Sequence, residues 1–173
     1  MSTINCTLDS GYVLGCNTIG GVEKVWIGTY SADTAYTFDV DNVITGVTSA
    51  NSVYLMEQDI EFAGLNQAGQ FARENGTVFY ESNLSIKFTE LDKDLRNLII
   101  ALGRAPLYAV IKANAGQYFL AGLETAGRAT EGNADLGVAL GDMNGATLTI
   151  QWKSQNGVYL IDGALLGVDI PVA

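Results

Sequence analysis

The sequence predicts a turn-rich, mainly β domain with a single helix laid against a sheet, and three observations carry that prediction. Hydrophobic residues make up 48% of the chain and charged residues 16%, with 20 glycines against 2 prolines. That balance suits short strands joined by tight turns better than a disordered chain. Several stretches alternate apolar and polar side chains with the period of a half-buried strand, and only one convincing stretch shifts to the helical period. The length, 173 residues, suits one domain over 1–173 with a real core.

Taken in order, Met1 to Gly21 holds short apolar words (Ile4, Leu8, Tyr12-Val13-Leu14) broken by glycines, and reads as an N-terminal arm over 1–21. Val22 to Tyr30 is a dense apolar run of the kind buried on both faces or at an interface. Tyr36 to Val40 and Val43 to Val47 form a strand pair turned at Asp41-Asn42. Ser52 to Gly64 reads as one long strand, with Tyr54, Met56, Ile60 and Phe62 on one face and Glu57, Asp59 and Glu61 on the other. Leu65 to Gly76 then reads as an extended loop, longer than an ordinary hairpin connection and so a candidate for binding or assembly.

Thr77 to Thr89 is the second long strand, with Val78, Tyr80, Leu84, Ile86 and Phe88 in one parity and Glu81, Asn83, Ser85 and Lys87 in the other. The single helix follows. Leu95, Leu98, Ile99 and Leu102 make one apolar stripe, Thr89 or Asp92 caps its start, and Gly103 with Pro106 ends it. Leu107 to Ala113 and Gln117 to Leu123 form a hairpin around Asn114-Ala115-Gly116. Glu124 to Asn144 is rich in Gly, Ala, Thr and Asp, and Asp142-Met143-Asn144-Gly145 turns into the strand Ala146 to Lys153. After the turn Ser154-Gln155-Asn156-Gly157, Val158 to Asp162 is the last core strand. Gly163 to Ala173 is a mildly apolar tail, 163–173, expected to pack on a neighbour or on its own sheet.

The formal net charge of −10 argues against wrapping nucleic acid or sitting on an anionic membrane. It is compatible with enclosing a polyanion that has to slide, as well as with plain solubility. Cys6 and Cys16 are not in a CxxC pair, so neither metal nor redox chemistry is expected, and free thiols in a reducing compartment are the simpler reading. No apolar run is long enough to span a membrane, and the protein is expected to be made and assembled in a cytoplasm.

Catalytic chemistry has little to stand on. With no histidine in the chain, a Ser-His-Asp or Cys-His arrangement cannot exist. Glu57, Asp59 and Glu61 are the remaining candidates for a divalent cation or a glycosidase-like pair, but alternate residues on one strand also describe a solvated face. Asp39-Val40-Asp41-Asn42 and Gly141 to Gly145 lack the full calcium-loop pattern and read as turns. Gly11 to Gly15 is not a phosphate loop, since no GK[ST] follows it. Trp26 and Trp152 sit inside strand patterns, where core or subunit interface is the expected use and a carbohydrate platform the rival one. No catalytic residue, metal or cofactor is expected.

The order of elements resembles the tail tube proteins of tailed bacteriophages: two long strands joined by an extended loop (Ser52 to Thr89), a helix (Asp92 to Leu102), a hairpin (Leu107 to Leu123) and a late glycine-turned pair (Ala146 to Asp162). The words Asn114 to Gly122 and Gly141 to Ile150 also look like virion proteins of phages that infect Bacteroidetes. The likeness covers about residues 22–162. It implies a β-sandwich or split barrel with one flanking helix, with the two long strands completing a ring-wide barrel. Hexameric rings would stack into a hollow tube in the virion tail, and DNA would pass through it without specific binding. Tail terminator, baseplate or tape-measure proteins would be further partners.

Carried to this chain, the resemblance places Glu57, Asp59, Glu61 and Glu81 toward the lumen, with Lys87 on the same face. Leu65 to Gly76 becomes the inter-ring loop, including Asn66 and Gln67, with Phe71 as apolar anchor and Arg73-Glu74 as rim charges. The arm and the tail would seal contacts between subunits. The competing expectations are a capsid decoration, head-completion or neck protein, and a carbohydrate-binding module.

Overall fold

The computed structural model describes residues 11–12, 19–142 and 144–173. The expected N-terminal arm lies largely outside the described residues, as do Cys6, Cys16 and Met143. The fold is mainly β, with two sheets and one helix in a sandwich-like arrangement and no closed barrel among the described residues.

The strands are β1 (Val22–Thr29), β2 (Ala35–Phe38), β3 (Ile44–Thr48), β4 (Val53–Met56), β5 (Ala63–Ala72), β6 (Thr77–Thr89), β7 (Leu107–Ala113), β8 (Tyr118–Ala121), β9 (Arg128–Asp135), β10 (Gly145–Ser154) and β11 (Tyr159–Ile161), with α1 (Lys93–Arg104) between β6 and β7. The larger sheet runs in the order β2-β3-β11-β8-β7-β1-β4 and the smaller one β5-β6-β10-β9. Pairing is antiparallel except between β3 and β11.

Alternation decides what each sheet buries. Even positions of β6 and β10 (Leu84, Ile86, Phe88, Leu148, Ile150, Trp152) face the larger sheet, whose Val25, Ile27, Ala109 and Ile111 meet them in one core. Leu102 of α1 closes that core, with Leu95 and Leu98 packed beside it. The opposite parity of β7, Tyr108 and Val110, enters a second core with Ile44, Val47, Leu120 and Ile161. β7 is therefore apolar on both faces, as its near-continuous run Leu-Tyr-Ala-Val-Ile requires.

The C-terminal tail closes this second core with Leu165 and Ile170, then zips onto the large sheet: Val53 N–H donates to Pro171 at 2.8 Å and Ala173 N–H to Val53 at 3.0 Å. Of the two expected homes for the tail, it packs on its own sheet. The role of sealing subunit contacts is thus not what holds it in place.

Several expected elements hold and several are corrected. β6, the β7–β8 hairpin and the β2–β3 pair fall where the pattern puts them; in the last, the Asp39 carboxylate accepts from Asp41 N and Val43 N, both at 2.9 Å. Asp92 caps α1 by accepting from Leu95 N at 2.7 Å. Gly103 is inside the helix and does not end it; Pro106 does, by forcing Ala105 into an extended conformation with ψ 148°.

Ser52 to Gly64 is not one strand. The chain leaves the large sheet after Met56, crosses between layers over 57–62, and enters the small sheet at Ala63. Face-to-face sheets lie about 10 Å apart, a span that a continuous strand cannot serve without breaking its ladder. Glu61 takes φ 66° in this crossing. The stretch Leu65 to Gly76 is not a loop either, since β5 runs to Ala72 and pairs β6 residue by residue, leaving only 73–76 to turn. The region Glu124 to Asn144 contains β9. The late pair is not a hairpin, because β10 and β11 belong to different sheets.

Candidate functional site

β6 outruns its neighbour. β10 covers it only as far as Tyr80, paired with Ser154, so beyond that point β5 and β6 continue as a two-stranded ribbon. In the ladder Phe71 lies opposite Val78 and Gly69 opposite Tyr80, on the face that farther back supplies Leu84 and Ile86 to the core. The inward parity of the strand is therefore continued in apolar residues past the end of the sandwich. Phe71 is 66% and Val78 50% exposed, and Phe79 on the other face is exposed as well.

The ribbon is ordered from within. Phe71 meets Tyr80 edge to face, with ring centroids 5.9 Å apart, and a Cβ at Gly69 would sit 2.5 Å from the Phe71 ring, so the glycine makes that fold-over possible. The base is fastened by Gln67, whose side-chain Oε1 accepts from Val158 N at 3.0 Å beside the turn that leads from β10 to β11. That turn hangs on the Glu124 carboxylate, which accepts from Gln155 N at 2.6 Å, Asn156 Nδ2 at 2.8 Å and the Tyr159 hydroxyl at 2.9 Å. Burial first, and then the bond to Glu124, push the Tyr159 hydroxyl up to about 12.

The sequence-predicted residues separate into three groups. Phe71 projects from the ribbon, Arg73 and Glu74 stand exposed in its turn, and Asn66 is exposed on β5; Gln67 serves the internal tie just described. Glu81 lies on the polar outer face of the small sheet, but Lys153 pairs it at 2.9 Å, so that face is not a field of free carboxylates. Its neighbours in register are Asn83, Ser85 and Lys87 on β6 and Gln151, Thr149 and Thr147 on β10, with a Gln151–Asn83 hydrogen bond at 3.0 Å.

Glu57, Asp59 and Glu61 are not on a strand face at all. They are exposed on the crossing segment. Glu57 and Asp59 line a cleft of about 250 Å³ with Glu90, Asp92 and Lys87, where the ammonium of Lys87 sits 4.7 Å from the Phe62 ring centroid. Among the described residues no group of three or more acids or cysteines is arranged to hold a metal ion. Trp152 is fully buried, in keeping with core use, while Trp26 is half-buried and stacks on Tyr118 at 6.3 Å.

Sequence reasoning missed a further exposed feature, the connection from β9 to β10, where Leu136, Val138 and Leu140 all point outward. Their alternation with Gly137 and Ala139 was the available signal, hidden in a stretch read as glycine- and alanine-rich turn. Compared with known protein families, curated proteins and solved structures, the chain matches none.

Proposed function

We propose that this protein is a structural subunit that assembles with its own copies into hexameric rings stacked as a hollow tail tube of a bacteriophage virion, conducting DNA during ejection. The observation that supports this reading best is the β5–β6 ribbon, whose core-facing parity stays apolar beyond the last residue its own chain covers. A two-stranded ribbon is marginal alone in water, and an exposed apolar strand pair is an aggregation hazard unless a neighbour is meant to receive it. The ribbon reaches the adjacent ring, with Phe71 and Val78 as the seated side chains.

The outer face of the small sheet lines the bore. By register its charges are Glu81, Glu131 and Asp135 against Lys87, Lys153 and Arg128, which balance in sign, and with a single arginine the face offers no arginine cluster to grip phosphate. A bore of that kind lets a polyanion slide. Glu57, Asp59 and Glu61 stand at the rim of the bore on the crossing segment, and the protein carries out no catalysis.

Negative-stain microscopy and sedimentation velocity of the purified protein test the reading. Rings or tubes are expected. A monomer at all accessible concentrations, or compact trimers suited to capsid decoration, would sink it. Phe71→Ser combined with Val78→Ser is expected to leave single rings that no longer stack.

A further inference from the structure

The outward-pointing loop between β9 and β10 has a counterpart elsewhere on the same chain. Leu140 and Val138 are 109% and 103% exposed, so neither touches its own protein in any useful way. The loop is nonetheless held in shape. The Asp142 carboxylate accepts from Val138 N at 2.8 Å and Ala139 N at 2.7 Å, Asp135 accepts from Gly137 N at 2.9 Å, and Asp142 N–H returns a bond to Ala139 at 3.0 Å. Those backbone donors hold the Asp142 carboxyl below its ordinary range. Apolar side chains displayed on a braced backbone lose little freedom on docking.

The counterpart is a groove between β4 and α1, lined by Tyr54, Met56, Leu98, Ala101, Ala105 and Leu107, with a volume of about 160 Å³. Apolar cavities of about 150 Å³ hold a benzene-sized group, so this one accepts a leucine side chain. No charged residue lines it. Arg104 directly precedes Ala105 of the lining, and Arg128 Nη1 donates to the Arg104 backbone carbonyl at 3.1 Å. Neither has a carboxylate partner among the described residues. The apolar loop is framed by Asp135 and Asp142, which likewise have no cationic partner there.

We propose that the loop 136–142 of one copy seats Leu140 and Val138 in the β4–α1 groove of a second copy, with Asp135 and Asp142 facing Arg104 and Arg128. Size, polarity and charge all match between the two patches, and each patch is unfilled on its own chain. The contact is head-to-tail, so every copy offers one knob and one groove, and repetition closes a ring or extends a filament. It does not depend on what the assembled particle conducts.

Sedimentation velocity on complementary variants tests it. Val138→Ser with Leu140→Ser removes the knob, and Ala101→Trp fills the groove; both changes are on exposed positions, and Arg104→Glu serves as a second groove variant should the tryptophan disturb the helix. Each variant alone is expected to associate about tenfold or more weakly than the parent, the factor that follows from failing to bury an aliphatic side chain. Mixed in a background that also carries Phe71→Ser and Val78→Ser, so that the ribbon cannot stack copies, a knob-less and a groove-less copy keep one intact contact between them and are expected to give a 1:1 dimer and nothing larger. A parent protein that stays monomeric, variants that associate like the parent, or a mixture that gives no dimer would each overturn the proposal. Tubes that persist with the knob removed would overturn this contact and leave the tail-tube reading standing. A dimer from the mixture without rings or tubes from the parent would do the reverse.

Discussion

Trp152 fits because two neighbours lack side chains. Its indole Nε1 donates to the Leu107 carbonyl at 3.0 Å from a fully buried position. A Cβ at Gly127 would lie 2.2 Å from that nitrogen, and one at Gly122 would lie 2.8 Å from it. Gly122 also takes φ 96°, a conformation that side chains disfavour. Gly127→Ala is expected to destabilise the fold by about 1–3 kcal/mol through overpacking. Trp152→Ala leaves a void and is expected to cost about 3–5 kcal/mol. Urea unfolding of the two variants checks the order, and a Gly127→Ala protein as stable as the parent would show that the indole has room to move. The sequence pattern places Trp152 in a buried strand, but the need for these glycines arises from contacts between segments far apart in the chain and leaves no local mark.

At the scale of elements, α1 depends on its cap. Asp92→Ala removes the acceptor for Leu95 N and is expected to cost about 1 kcal/mol, within the usual range of about 0.5–2 for such caps. Thermal unfolding of this variant against Asp92→Asn, which keeps an acceptor, separates the cap from the charge. This cap and the stripe Leu95, Leu98 and Leu102 were legible because helical period and capping chemistry are local. β5 and β9 were not. Ala63–Ala72 has few β-branched or aromatic residues and two interior glycines, and it becomes a strand because β6 supplies a full ladder beside it. β9 is an edge strand exposed along nearly all of its length, so it has no inward parity to betray it. The acids at 57, 59 and 61 misled for a related reason: their alternation with apolar residues runs straight through the break where the chain changes layers.

At the scale of the whole molecule, the core beneath the larger sheet sets an alkaline limit. Burial pushes the Tyr36 hydroxyl from 10.0 up to about 12, Tyr159 also to about 12, and raises Tyr108, whose hydroxyl donates to the Asn51 carbonyl. In each case the unfolded chain releases its proton first, so between about 10 and 12 the folded state holds more protons than the unfolded one. This contribution to stability is whole below pH 10 and is lost as pH rises through the folded values. Urea midpoints are expected to fall steadily over that interval, and Tyr36→Phe to fall less. An equal slope in both proteins would assign the loss to general charge repulsion.

The crossings between layers carry a consequence for synthesis. The chain supplies β1–β4 to the large sheet, β5–β6 to the small one, β7–β8 to the large, β9–β10 to the small and β11 to the large again. Neither layer is a contiguous segment of polypeptide, so a growing chain on the ribosome cannot finish one before starting the other. Until Ile161 clears the exit tunnel, β3 and β8 lack the strand that joins them. Newly made protein thus passes through a period with open, sticky edges, and its yield as soluble material is expected to improve when translation is slowed by cooling.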